Sequence, residues 1–176
     1  MSRRPAFNPS SGLQRLLDAP MRPGRLAWIG LRVARRGAID PVETAEVSPE
    51  RGLHGDRYGG RSGGQRQVTL IAREDLDAVA AFLGRDASLP PDLVRRNLVT
   101  VGLNLNALKG RRLAVGQDPS TAAVLEVTGE CHPCSRMEEV LGPGGYNALR
   151  GRGGLTARVL RPGEIRLGDL VTIEDA

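Results

Sequence analysis

Aromatic side chains make up only 3% of this 176-residue chain: Phe7, Trp28, Tyr58, Phe82 and Tyr146. So few rings provide no stacking platform for single-stranded nucleic acid, and any core must be aliphatic. Lysine is nearly missing too, since Lys109 stands against 24 arginines. The two cysteines cannot form a disulfide framework. With only two histidines beside them, a four-ligand zinc site lacks obvious partners. No apolar run approaches the roughly 18 residues that a membrane-spanning helix needs. The basic start leads into prolines rather than an apolar stretch, so no secretory signal is read there. The expected location is the cytoplasm, with no membrane or nucleic-acid partner. A nucleotide P-loop and a strand–GxGxxG–helix unit are both missing, which removes those two routes to nucleotide binding.

What the chain does have is breakers: 23 glycines and 12 prolines, nearly a fifth of its length. A long helical bundle is disfavoured at that level. Charge is uneven as well. Residues 1–66 hold 12 arginines against 6 acids, and residues 67–176 are close to neutral. Arginine grips phosphate or carboxylate with two parallel donors, so an anion pocket is one reading of this excess. Coding bias is the other.

The pattern divides into an N-terminal arm over 1–24, punctuated by Pro5, Pro9, Pro20 and Pro23, and one domain over 25–176. Strands are expected at 26–34, 65–71, 98–101, 112–115, 122–128, 155–160, 165–167 and 170–173. Residues 38–47, with Pro41 inside, are at best an edge strand. The clearest helix is 73–83, where Leu76, Val79, Ala80 and Leu83 form one apolar stripe. Short helices are expected near 91–94 and 136–141. Many short strands between turn signals predict a mainly β fold, a closed barrel with a few short peripheral helices. Two glycine- and arginine-rich stretches, 48–64 and 142–154, read as irregular loops able to bring backbone close to an anionic ligand.

The chemistry-bearing motif is Glu130-Cys131-His132-Pro133-Cys134-Ser135-Arg136. A Cys-x-x-Cys can be half of a zinc site, a dithiol redox pair, or a nucleophile with a companion. A thioredoxin-type site would need a βαβ context, which the surrounding pattern does not offer. Cys134 falls at the start of the short helix and beside Arg136, and both favour the reactive thiolate. His132 and His54 are possible bases, although a loop histidine is more often a hydrogen-bonding residue.

Several motifs together resemble the MOSC domain, the C-terminal domain of molybdenum cofactor sulfurase. They are Trp28-Ile29-Gly30-Leu31-Arg32, Gly52-Leu53-His54-Gly55-Asp56-Arg57, Arg66-Gln67-Val68-Thr69, Arg95-Arg96-Asn97-Leu98, Pro133-Cys134, Gly151-Arg152-Gly153-Gly154 and Gly163-Glu164-Ile165-Arg166-Leu167-Gly168-Asp169. The resemblance runs from Arg25 to the C-terminus, in order and spacing, and implies a β-barrel. It implies molybdenum cofactor (Mo-molybdopterin) as ligand and Cys134 as the key residue, carrying sulfur as a persulfide or ligating molybdenum. Cys131, His132 and Arg136 are expected to support it. Arg57, Arg66, Asn97, Arg152 and Asp56 are the expected cofactor contacts. The alternatives are a molybdenum oxidoreductase acting on N-hydroxylated compounds and a non-catalytic interaction domain. No companion barrel of the amidoxime-reducing relatives is recognised in the sequence, so a homodimer, a sulfur donor or a redox partner protein is expected to complete the cleft.

Overall fold

In a computed structural model of the chain, residues 12–58 and 60–174 are described. The part of the arm over residues 1–11 lies outside them. The elements are α1 (Gly12–Leu17), β1 (Gly24–Leu31), β2 (Asp40–Val42), β3 (Thr44–Ser48), β4 (Gly52–Leu53), β5 (Val68–Ala72), α2 (Arg73–Phe82), α3 (Pro91–Val94) and β6 (Leu98–Val101). A 3-10 turn (Leu105–Leu108) then leads to β7 (Arg112–Val115), β8 (Ala123–Glu130), α4 (Ser135–Leu141), α5 (Gly145–Leu149), β9 (Leu155–Arg161), β10 (Gly163–Arg166) and β11 (Leu170–Glu174).

The sheet order β11-β7-β8-β9-β5-β6-β1 closes through pairing of β11 with β1, giving a seven-stranded barrel. This is the mainly β barrel with short helices that the turn-rich sequence predicts. Every neighbouring pair is antiparallel except β5 and β6, which run parallel and are joined through α2 and α3. A parallel pair needs such a crossover because no hairpin can join it. A smaller sheet, β10-β3-β4, packs Val47, Leu53 and Ile165 into the barrel interior.

Alternation along the strands sorts side chains into two clusters. Leu70 and Leu98 point into the barrel with Leu26, Ile29, Leu125 and Leu155. Their neighbours Ile71 and Val99 point outward, where α2, α4 and α5 cover them with Leu76, Val79, Met137 and Leu149. In β1 both Leu26 and Ile29 face inward although they stand three positions apart. An irregularity between Leu26 and Trp28 absorbs the extra residue, a β-bulge, and sends Trp28 to the outer cluster. The interior is almost wholly aliphatic, which is how the barrel closes with so few rings in the sequence.

Three readings change. Residues 38–47 break into β2 and β3, which belong to different sheets, and β2 is the edge strand that Pro41 requires. The stretch 48–64 contains β4, paired with β3. The stretch 142–154 contains α5, whose start is held by the Glu138 carboxylate accepting Gly144 N–H and Tyr146 N–H, both at 2.8 Å. Gly145 is needed there because a Cβ would lie 2.5 Å from Leu141 Cβ. Among the described residues no helix is long and apolar enough to cross a membrane.

Candidate functional site

Strand register sets the site. Glu130 pairs with Leu155, Leu155 with Leu70, Leu70 with Leu98, and Leu98 with Ile29. This row crosses five strands. Within a few residues of it lie Cys131 after β8, Gly153 and Gly154 before β9, Thr69 in β5, Arg96 and Asn97 before β6, and Arg32 after β1. Residues distant in sequence thus reach one patch of the barrel wall.

The segment Arg95-Arg96-Asn97 sends its three side chains three ways. Arg95, left-handed at φ 57°, donates from Nη1 to the Gly37 carbonyl at 2.5 Å and from Nη2 to the Ala34 carbonyl at 3.3 Å. Arg96 is buried and has no carboxylate partner among the described residues. It donates instead to three carbonyls: Gly153 from Nε at 2.7 Å, Val94 from Nη1 at 2.6 Å and Cys131 from Nη2 at 3.1 Å. Asn97 turns inward and is fully buried. Its Oδ1 accepts from Thr69 N–H at 3.1 Å and Thr69 Oγ1 at 3.0 Å, and its Nδ2 donates to the Gly30 carbonyl at 3.2 Å and Asp56 Oδ1 at 3.0 Å.

These contacts hold the cysteine loop. Cys131 N–H donates to the Gly154 carbonyl at 2.8 Å while its own carbonyl takes Arg96. Gly154 has φ +81°, and a Cβ on it would sit 1.9 Å from the Leu70 carbonyl oxygen, so only glycine lets this strand come so close. Cys134 caps α4, its carbonyl accepting Met137 N–H at 2.8 Å. Cys131 is buried, Cys134 is exposed, and both thiols are free.

A cleft of about 440 Å³ opens above this loop. Cys134 and Cys131 line it with His132, Tyr58, Thr69 and six arginines: Arg32, Arg57, Arg66, Arg95, Arg96 and Arg136. The side chains of Arg57 and Arg66 make no hydrogen bond or ion pair among the described residues, although the Arg57 backbone N–H donates to the Arg32 carbonyl at 2.8 Å. Arg136 Nε is buried without a partner among the described residues. Burial first, and then repulsion from Arg136, Arg32 and Arg57, pushes Arg95 below the ordinary guanidinium range. Burial also lowers Arg96, opposed by the Cys131 and Cys134 sulfurs. The cleft is therefore a concentration of positive charge around one exposed thiol.

Of the sequence candidates, the structure brings Cys134, Cys131, His132, Arg136, Arg57 and Arg66 to this cleft. Asp56, Asn97 and Arg152 do other work. The Asp56 carboxylate is fully buried and clasps Arg32, accepting from its Nε at 2.9 Å, its Nη2 at 2.7 Å and its backbone N–H at 2.7 Å. It positions a cleft arginine and does not face the cleft itself. All four bonds of the Asn97 amide are internal, so in this structure it braces the wall behind the cleft. Arg152 bonds Asp75 Oδ1 at 2.9 Å and lies over the Phe82 ring, on a different groove with Glu74 and Asn104. Its neighbour Gly153 backs the cysteine loop in its stead. His54 faces Ser48 and Glu46, outside the cleft. Arg32, Arg95 and Arg96 were missed as site residues, although all three stand inside the quoted motifs. Nothing local in the sequence separates a cleft arginine from a surface one.

A mainly β barrel carrying an exposed cysteine within an arginine cleft is the class that fold and site define. The MOSC domain family matches over residues 51–172, and the chain belongs to that family. Solved structures share the fold. The YuaD protein from Bacillus subtilis is 17% identical with a TM-score of 0.74, covering 88% of this chain and 97% of that one. YiiM from Geobacillus stearothermophilus is 17% identical with a TM-score of 0.68, covering 87% of this chain and 76% of that one. YiiM from Escherichia coli is 19% identical with a TM-score of 0.64, covering 86% and 70%. At such identities the likeness is one of fold. No curated protein matches the chain by sequence.

Proposed function

We propose that this MOSC protein binds a molybdopterin-type cofactor in the arginine cleft and carries sulfur on Cys134. The observation behind the reading is one exposed thiol among six guanidiniums, of which those of Arg57 and Arg66 have no partner among the described residues. The cofactor is a phosphate ester that brings molybdenum on a dithiolene. Its two kinds of group fit the donors present. Guanidinium forks suit phosphate, and a thiolate suits a soft sulfur-bound metal. Among the described residues no group of three His, Cys, Asp or Glu side chains could hold a metal ion, so a metal beside Cys134 would take its remaining ligands from the cofactor.

The chain's own residues divide the work. Arg57 and Arg66 grip the phosphate. Asp56 holds Arg32 in the wall, and Arg96 fixes the cysteine loop through the Cys131 carbonyl. The Cys134 thiolate attacks the outer sulfur of a donor persulfide. A new sulfur–sulfur bond forms on Cys134, the donor's own bond breaks, and the donor leaves as a thiolate.

The test is purification from a host that makes the cofactor, followed by pterin and molybdenum analysis and persulfide tagging of Cys134. The expected result is pterin that is lost on Arg57→Ala with Arg66→Ala, and a tag that is lost on Cys134→Ala. Retained molybdenum near one equivalent with an untaggable Cys134 would instead make that residue a permanent metal ligand. Neither pterin nor tag in the native protein would overturn the reading.

A further inference from the structure

Beside the main cleft lies a second chamber of about 210 Å³, lined by Arg36, Gly37, Ile39 and Asp92 together with Arg95 and Arg136. Arg95 and Arg136 line both spaces. They form the partition, and Arg136 Nε within it is buried without a partner among the described residues. A buried donor left unpaired is costly, more so when charged. Arg36 is exposed and makes no hydrogen bond or ion pair among the described residues.

The charge is more than one phosphate can use. A phosphate monoester carries at most two negative charges and engages one or two guanidiniums. Arg57 and Arg66 already meet that need. Arg32 is neutralised by Asp56. Arg96 is turned to three peptide carbonyls of the wall, and Arg36, Arg95 and Arg136 line the chamber, opposed there only by exposed Asp92. The backbone marks the same place. Among the described residues the only non-glycine positions with positive φ are Arg36 at 60° and Arg95 at 57°, and both line this chamber. Such conformations persist where the surroundings hold them, most often at ligand sites.

We infer that the ligand carries two anionic groups in series, as a diphosphate ester does, with the second group in the chamber between Arg36 and the Arg95–Arg136 partition. The inference rests on reading the main cleft as the seat of a phosphate-bearing ligand. It adds that a phosphate monoester leaves the site half filled. The partition arginines then bridge the two groups.

Calorimetric titration of the full chain with inorganic orthophosphate and inorganic pyrophosphate, at one fixed low salt concentration, tests this. Pyrophosphate should bind more than about tenfold tighter. Arg36→Gln should erase most of that advantage and leave orthophosphate affinity unchanged. Arg35→Gln is the control. Arg35 is an exposed neighbour that does not line the chamber, so a charge lost there should leave the ratio intact. Equal affinity for the two anions, or equal effects of the two variants, would overturn the inference, the second result marking bulk attraction. Mass analysis of the anion released by heat from protein made in a cofactor-producing host names the source. A diphosphate ester with or without a pterin supports the inference, and a pterin monophosphate overturns it. These outcomes are independent of persulfide tagging at Cys134, so failure of the sulfur reading and failure of the two-anion reading are told apart.

Discussion

Asn97→Ala removes four hydrogen bonds from one buried point. Two of the partners have other support: Thr69 Oγ1 still accepts from the Asn97 backbone N–H at 3.0 Å, and Asp56 still holds Arg32. Thr69 N–H and the Gly30 carbonyl lose the partner the amide gives them. A buried polar group left unpaired costs about 1–3 kcal/mol, so the expected loss is on the order of 4 kcal/mol. For a domain of this size that is a fall in Tm of roughly 8–16 °C. It is a large share of a typical stability of about 5–15 kcal/mol. Urea unfolding followed by fluorescence of Trp28, the single tryptophan, measures it, with the slope against denaturant unchanged. Asn97→Asp sharpens the test. It keeps an acceptor for Thr69 but sets a second carboxylate against Asp56, so it should be less stable than wild type at neutral pH and recover partly in acid. A loss below about 1 kcal/mol, the level of a turn or helix cap, together with weakened ligand binding, would refute the account and return Asn97 to the cleft.

Three other outcomes are expected. Alkylation with mass mapping should modify exposed Cys134 first and buried Cys131 only after denaturant is added; faster labelling of Cys131 throughout would reverse their roles. Gly154→Ala should cost at least about 2 kcal/mol in chemical unfolding, from left-handed backbone strain plus collision with the Leu70 carbonyl; a neutral effect would show that the strands can part there. Burial raises the Asp75 carboxyl above its ordinary 3.8, with Arg152 opposing. The stability linked to this shift is fully present below the unfolded value and is lost as pH rises through the folded one. Wild type should therefore gain on Asp75→Asn as pH falls through the acid range, and a difference that does not change with pH would contradict the shift.

Most of the fold was legible because its signals are local. Leu98–Val101 and Arg112–Val115 stand where their apolar residues and turn flanks put them, and the stripe on α2 meets the outer cluster. What escaped depends on partners far away in the chain. Nothing within 142–154 announces a helix, because the carboxylate that starts α5 belongs to Glu138 on the preceding helix. Nothing in Gly151-Arg152-Gly153-Gly154 reveals that Arg152 turns to Asp75 while Gly153 supports Arg96. The six arginines of the cleft illustrate the same limit. Cys134, Arg57 and Arg66 stand in motifs whose chemistry can be read directly. Arg32 and Arg96 become cleft residues only through a buried aspartate and three peptide carbonyls, which the register of five strands brings within reach.

Closure of the barrel has a consequence for synthesis. Its seam pairs Gly24 with Val171 and Arg25 with Leu170, near opposite ends of the described chain. Until β11 emerges, β7 along one side and β1 at Gly24 and Arg25 present unpaired N–H and C=O groups. Such open edges are templates for pairing with another chain, and contacts so distant in sequence form slowly. The strands that build the cleft, β1, β5, β6, β8 and β9, are complete before that seam can form. A nascent chain can thus hold its arginine cleft together while the sheet behind it is still open, and the docking of β11 is the step that covers those edges.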